Sequence, residues 1–183
     1  MCDSRVLLVG FSWFEPEIVA FLQNVIKEVL NIETKFISEA PLPRNAYHAM
    51  RRQYLASAFL EQLLFFKENP SDIVLGIMGE DLYEPNLNFV FGVATSLYGV
   101  AVIATKRLHN RFYGLSEDKR LYMRRVATEA IHEIGHVLGL SHCENPHCVM
   151  HFSNTLADTD TKGYHFCPRC EEQAKKAICT DKI

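Results

Sequence analysis

The sequence predicts an α/β fold: a mixed, mostly parallel sheet backed by helices, with one antiparallel edge strand. Three observations lead there. The elements alternate as strand, helix, strand, helix, then three strands and a long helix, an order that builds crossover units on a parallel sheet. Short, nearly unbroken apolar runs such as Val6-Leu7-Leu8-Val9 read as strands buried on both faces. The link between the last two strands is too short for a crossover, so they pair antiparallel and one of them lies at an edge.

Each element has its own warrant. Arg5–Phe11 is a buried strand bounded by Gly10. Glu15–Leu30 places Ile18, Phe21, Leu22, Val25, Ile26 and Val29 at helical spacing, with Pro16 in the first turn. Ile32–Ser38 alternates as a second strand, and Ala40–Asn45, with its prolines, is a loop. Tyr54, Leu55, Ala58, Phe59, Gln62 and Phe66 repeat as a helix over Ala49–Lys67, which Asn69-Pro70-Ser71-Asp72 ends. Ile73–Met78 is a third buried strand and Gly79–Asn86 an acidic loop. Asn88–Ala94 and Gly99–Thr105 supply the antiparallel pair. Ser116–Leu138 is one long helix, capped by Ser116 with Glu117 and Asp118 in its first turn. Beyond Gly139 the chain reads as irregular to about Phe166, and Pro168–Ile178 as a short helix.

At 183 residues, 48% hydrophobic and 22% charged, the chain is long and apolar enough for one domain. We divide it into a sheet and helix part, 1–140, and a C-terminal part, 141–183. The net charge of −3 argues against broad nucleic-acid binding. The basic clusters Arg44–Arg52 and Lys119–Arg125 read as solvated helix faces. The first eleven residues make no convincing signal peptide, and no stretch is long enough to span a bilayer, so the expected location is the cytoplasm. In that reducing compartment the cysteines read as metal ligands before they read as disulfides.

The chemistry is concentrated in His132-Glu133-Ile134-Gly135-His136-Val137-Leu138-Gly139-Leu140-Ser141-His142. His132 and His136 lie four apart on one helix face and can share an ion. His142, on a continuing helix, would sit roughly 15 Å from His132 along the axis. The helix therefore has to break, and Gly139 supplies the left-handed residue that lets the chain fold back. Three neutral protein ligands with a fourth position left for water are the arrangement of catalytic zinc. Glu133 points away from the ligand face and is expected to act as general base and acid. Cys143, Cys148, Cys167 and Cys170 form two close pairs suited to a closed, structural, four-sulfur zinc site. His147, His151 and His165 lie nearby as alternatives to a cysteine ligand. Because Cys143 follows His142, the two metal sites should be mechanically joined. Cys2 and Cys179 carry no pairing pattern.

The combined pattern from His132 to Cys170 resembles the archaemetzincins, a branch of the metzincin metallopeptidases. The resemblance implies a zincin-like fold with an active-site helix, a methionine turn at Met150, two zinc ions per chain and hydrolysis of peptide bonds. It also implies that the edge strand, mapped to Asn88, Phe89, Val90, Phe91 and Gly92, pairs with an extended peptide. Two positions after Met150 some metzincins carry a tyrosine that reaches the metal. Here Phe152 has no oxygen to offer. The sequence leaves three other functions to weigh: a zinc-stabilised peptide-binding module without turnover, hydrolysis of a non-peptide amide, and a nucleic-acid-binding ribbon. Intact Glu133 weighs against the first, and the acidic charge against the last. The expected partner is a peptide substrate, with no nucleic acid, no membrane and a monomeric chain.

Overall fold

The computed structural model describes residues 4–179, so Cys2 lies outside the described residues. Strand β1 (Arg5–Phe11) is followed by helix α1 (Glu17–Leu30) and strand β2 (Glu33–Ala40). Strands β3 (Tyr47–His48) and β4 (Gln53–Leu55) precede helix α2 (Ala56–Leu63) and strand β5 (Ile73–Met78). Then come β6 (Leu82–Tyr83), β7 (Gly92–Thr95), β8 (Val100–Ala104) and the 19-residue helix α3 (Lys119–Val137). Two short helices close the chain, α4 (Leu156–Lys162) and α5 (Pro168–Cys179).

The main sheet runs β2-β1-β5-β8-β7, and only β7 is antiparallel to its neighbour. The expected architecture is therefore present, with β7 on the edge. Successive side chains along a strand point to opposite faces. Val6 and Leu8 accordingly join the core under α1 and α3, while Leu7, Val9 and Phe11 join the core under α2. The first of these cores continues without a break into the C-terminal part, through Cys143, Cys148, Val149, Met150 and Cys170.

Several readings need correction; among them, the loop expected over Gly79–Asn86 contains β6, Arg44–Arg52 lies on no helix, and Arg125 is buried against Asp160 rather than solvated. The helix expected over Ala49–Lys67 begins only at Ala56. Arg52 takes a left-handed φ of 54°, and the buried Gln53 side chain donates to Asp81 and to the Asn88 carbonyl, which fixes Gln53–Leu55 as a strand. Long-range hydrogen bonds there outweigh a helical apolar spacing. The edge strand begins at Gly92 rather than Asn88, because Val90 is drawn to Leu82 of β6 by a backbone hydrogen bond of 3.0 Å. The cap of α3 is Asp118, whose carboxylate accepts from Leu121 N–H, and the helix starts at Lys119 instead of Ser116. Finally, the segment expected to be irregular up to Phe166 contains α4. A capping box holds its first turn: Thr155 accepts from Asp158 N–H, and the Asp158 carboxylate accepts from Thr155 N–H.

Candidate active site and the cysteine cluster

Helix α3 ends where the three-histidine pattern requires. Gly139 has φ of 88°, its N–H donates to His136 O, and Leu140 N–H reaches back to Gly135 O. The turn does more than return the chain. His136 Nδ1 lies 2.8 Å from Leu140 O, so the fold-back also orients the second imidazole. His132 Nδ1 lies 2.7 Å from Val149 O. To donate to these carbonyls both rings must carry their proton on Nδ1, which leaves bare lone pairs on Nε2. Those two Nε2 atoms are 3.1 Å apart. Bare lone pairs at that separation repel unless a cation sits between them, and a metal bound by each at about 2.0–2.1 Å fits the gap. His142 completes the set, and the ligating atoms of His132, His136 and His142 lie within 4.8 Å of one another. Burial, with Lys162 adding to it, pushes His132 well below the ordinary imidazole range. Burial likewise lowers His136 and His142. All three rings are thus neutral at physiological pH, the form a metal ligand needs.

Two glycines let the surrounding backbone approach. A Cβ on Gly92 would stand 2.7 Å from Glu133 Cγ and Oε1, so only glycine allows β7 to press onto the glutamate. A Cβ on Gly135 would collide with Met150 Sδ, and Met150 is fully buried beneath the helix. Burial, reinforced by the Glu129 carboxylate and opposed by Lys162, raises the Glu133 pKa to about 8. A cavity of about 490 Å³ opens in front of these groups. It is lined on one side by 87–94 and on the other by His132, Glu133, His136, His142 and Phe152–Asn154. Asn88, Phe89, Val90, Phe91 and Gly92 all face it, although only Gly92 belongs to the strand. Phe152 lies beside the His142 ring, with centroids 5.1 Å apart.

The four thiols of Cys143, Cys148, Cys167 and Cys170 gather within 4.8 Å of one another. None is in a disulfide, and Cys143 Sγ and Cys167 Sγ are 3.9 Å apart, far beyond the S–S bond length of about 2.05 Å. Two donors already address the sulfurs. Cys167 N–H points at Cys148 Sγ from 3.3 Å, and the Arg169 guanidinium at Cys143 Sγ from 3.4 Å. His151 and His165 stay outside the set: His151 Nδ1 meets Cys143 O, and His165 meets Glu28. Cys143 N–H donates to Met150 O, which ties the residue after His142 to the turn beneath the catalytic helix.

Sequence reasoning missed Glu129 and Lys162, which also line the cavity. Glu129 had a signal, since it lies four positions before Glu133 on the same helix face. Lys162 had only the Thr155-x-x-Asp158 capping pattern announcing the helix that carries it.

Together the fold and these two donor sets define a zinc metallopeptidase, one histidine group fitting a catalytic zinc and one cysteine group a structural zinc. Residues 4–176 match Peptidase family M54, and the chain belongs to that family. It is 40% identical to the archaemetzincin of Pyrococcus furiosus, over 94% of this chain and 93% of the relative. It is 47% identical to that of Methanopyrus kandleri, over 95% and 97%. The crystal structure of a Methanopyrus kandleri archaemetzincin superposes with a TM-score of 0.85 at 38% identity, covering 98% of this chain and 97% of that one. The Archaeoglobus fulgidus archaemetzincin, crystallised with malonate, gives 0.78 at 36% identity, covering 92% and 99%.

Proposed function

We propose that Glu133 is the general base and acid of peptide hydrolysis in the cleft between β7 and α3. In this reading His132, His136 and His142 hold the catalytic zinc, and Cys143, Cys148, Cys167 and Cys170 hold the structural one. One observation carries it: the Glu133 carboxylate is buried against Gly92 in the cavity that the three histidines share. Zinc held by three imidazoles supplies a Lewis acid and makes water a ready proton donor near neutral pH. Glu133 takes that proton and delivers it to the leaving amine. Burial makes the Glu133 carboxylate a stronger base, and the charge of a bound zinc would favour the ionised form that accepts the proton. The outer edge of β7 offers backbone groups to an extended peptide. Asn88, Phe89, Val90 and Phe91 form the cleft wall next to it, with part of their own backbone already engaged.

The same reading makes the chain a monomeric cytoplasmic enzyme of one domain, with its internal boundary near residue 140. Free cysteines support the location. Among the described residues no helix is long and apolar enough to cross a membrane.

The test is a peptide library offered to the zinc-loaded protein and to its Glu133→Gln variant. The variant should keep both zinc ions and lose about 10²–10⁴-fold in rate, the usual worth of a positioned acid–base group. Undiminished turnover in the variant would remove Glu133 from the chemistry.

A further inference from the structure

The cavity beside the histidines contains a buried ion pair. Glu129 stands one helical turn before His132 and Glu133 and shares their face of α3. It lines the cavity with Lys162, Ser153 and Asn154. The Glu129 and Lys162 side chains are only 3% and 0% exposed. Charges taken out of water need good partners, and the two residues differ in how well they are supplied. Glu129 Oε1 accepts from Thr159 Oγ1 at 2.9 Å. Lys162 Nζ donates to His151 O at 3.1 Å and stands 3.5 Å from Glu129 Oε1. It also lies 3.3 Å from His132 Nδ1, but that nitrogen is itself a donor to Val149 O. An ammonium has three protons to give. Among the described residues only two acceptors reach this one, and one of them at long range. In the same cavity Ser153 Oγ is buried with no hydrogen-bond partner.

We propose that Lys162 and Ser153 form a specificity subsite for a substrate side chain that ends in an oxygen acceptor, a carboxylate or a carboxamide, next to the scissile bond. The inference rests on reading the cavity as the peptide cleft. One turn of helix is about 5.4 Å, within the reach of an acidic or amide side chain from a residue whose backbone lies at the histidines. Glu129, anchored by Thr159, keeps the ammonium compensated while the cleft is empty. An aliphatic side chain would leave the Ser153 hydroxyl and the third ammonium proton of Lys162 unmet, and sites built to hydrogen-bond a group discriminate strongly against analogues that lack it.

The experiment measures peptide binding by calorimetry to the zinc-loaded Glu133→Gln variant, which separates recognition from turnover. Peptides differing only in Glu, Gln, Leu or Lys are scanned across both positions that flank the cleaved bond. Glu or Gln at one position should bind at least about tenfold tighter than Leu, and their ranking tells carboxylate from carboxamide. Adding Lys162→Met should abolish the preference. Adding Ser153→Ala should weaken it several-fold, and it leaves the ion pair intact should the lysine variant fold poorly. Tightest binding of Leu or Lys, a preference that survives both substitutions, or no binding of any peptide would overturn the subsite. Failure of the wild-type enzyme to cleave would instead strike the hydrolase reading alone.

Discussion

The histidine and cysteine clusters are equally compact, each holding its ligand atoms within 4.8 Å, yet they are built for opposite purposes. Three of the four cysteines are buried, and backbone and guanidinium donors already address their sulfurs. The histidine set grades from buried His132 to exposed His142 and opens onto a cavity of about 490 Å³ with a buried glutamate beside it. A closed set of four charged ligands contributes folding energy, whereas an open set of three neutral ligands leaves room for chemistry. Residues 142 and 143 are adjacent and serve the two sets separately. In the proposed reading the closed site is the anchor from which the open one is hung.

That contrast can be broken by experiment. Replacing Cys167 and Cys170 together with serine should cost the cysteine-bound zinc outright. It should also weaken zinc at the histidines about 10–100-fold, the scale of effects from groups that orient metal ligands. Equilibrium competition with a chromogenic chelator reads both numbers, and unchanged affinity at the histidines would cut the mechanical link. Gly92→Ala acts on the open site only. Its Cβ would meet Glu133 at 2.7 Å and Val102 O at 2.8 Å, so β7 or the glutamate has to move. The turnover number should fall about tenfold, the equivalent of about 1.4 kcal/mol, while both zinc ions stay bound. Gly135→Ala presses on Met150 from inside the helix and should cost about 1–3 kcal/mol of stability in thermal unfolding, despite alanine's better helix propensity.

The smallest effect concerns α4, which carries Lys162 to the cleft. Thr155→Ala removes the cap and should cost about 1 kcal/mol. The Asp158 carboxyl is held below its ordinary value by the Thr155 hydroxyl first, then by the Thr155 N–H. A carboxylate with a lowered folded pKa stabilises the fold at pH above its unfolded value, about 3.9, and that contribution fades as pH falls through the folded value. The difference in stability between wild type and Thr155→Ala should therefore shrink below about pH 4. A difference that grows with acidity would contradict this role for the pair.

The sheet and the metal ligands were legible because each leaves a pattern in one stretch of chain. Ile73–Met78 is a run of apolar residues buried on both faces, and it is the strand observed. The histidines follow helical spacing and then a glycine. What stayed hidden depends on distant partners. Strands β3, β4 and β6 span two or three residues each and owe their form to bonds such as Gln53 to Asp81. Helix α4 buries Thr159 and Lys162, both polar, so it leaves no apolar period to detect. Glu129 reads as an ordinary acid on a helix until Thr159 and Lys162 are placed around it.

The central claim is that catalysis depends on the metal held in the open histidine set, while the fold depends on the one held by sulfur. Stepwise chelation of the purified protein, with zinc content, circular dichroism and peptide cleavage followed together, tests it most directly. Two zinc ions per chain are expected. Loss of the first should abolish cleavage with the dichroism unchanged, and only loss of the second should alter the dichroism as the C-terminal part loosens. Cleavage that continues after the first ion has gone, or a fold that collapses as it leaves, would contradict the account.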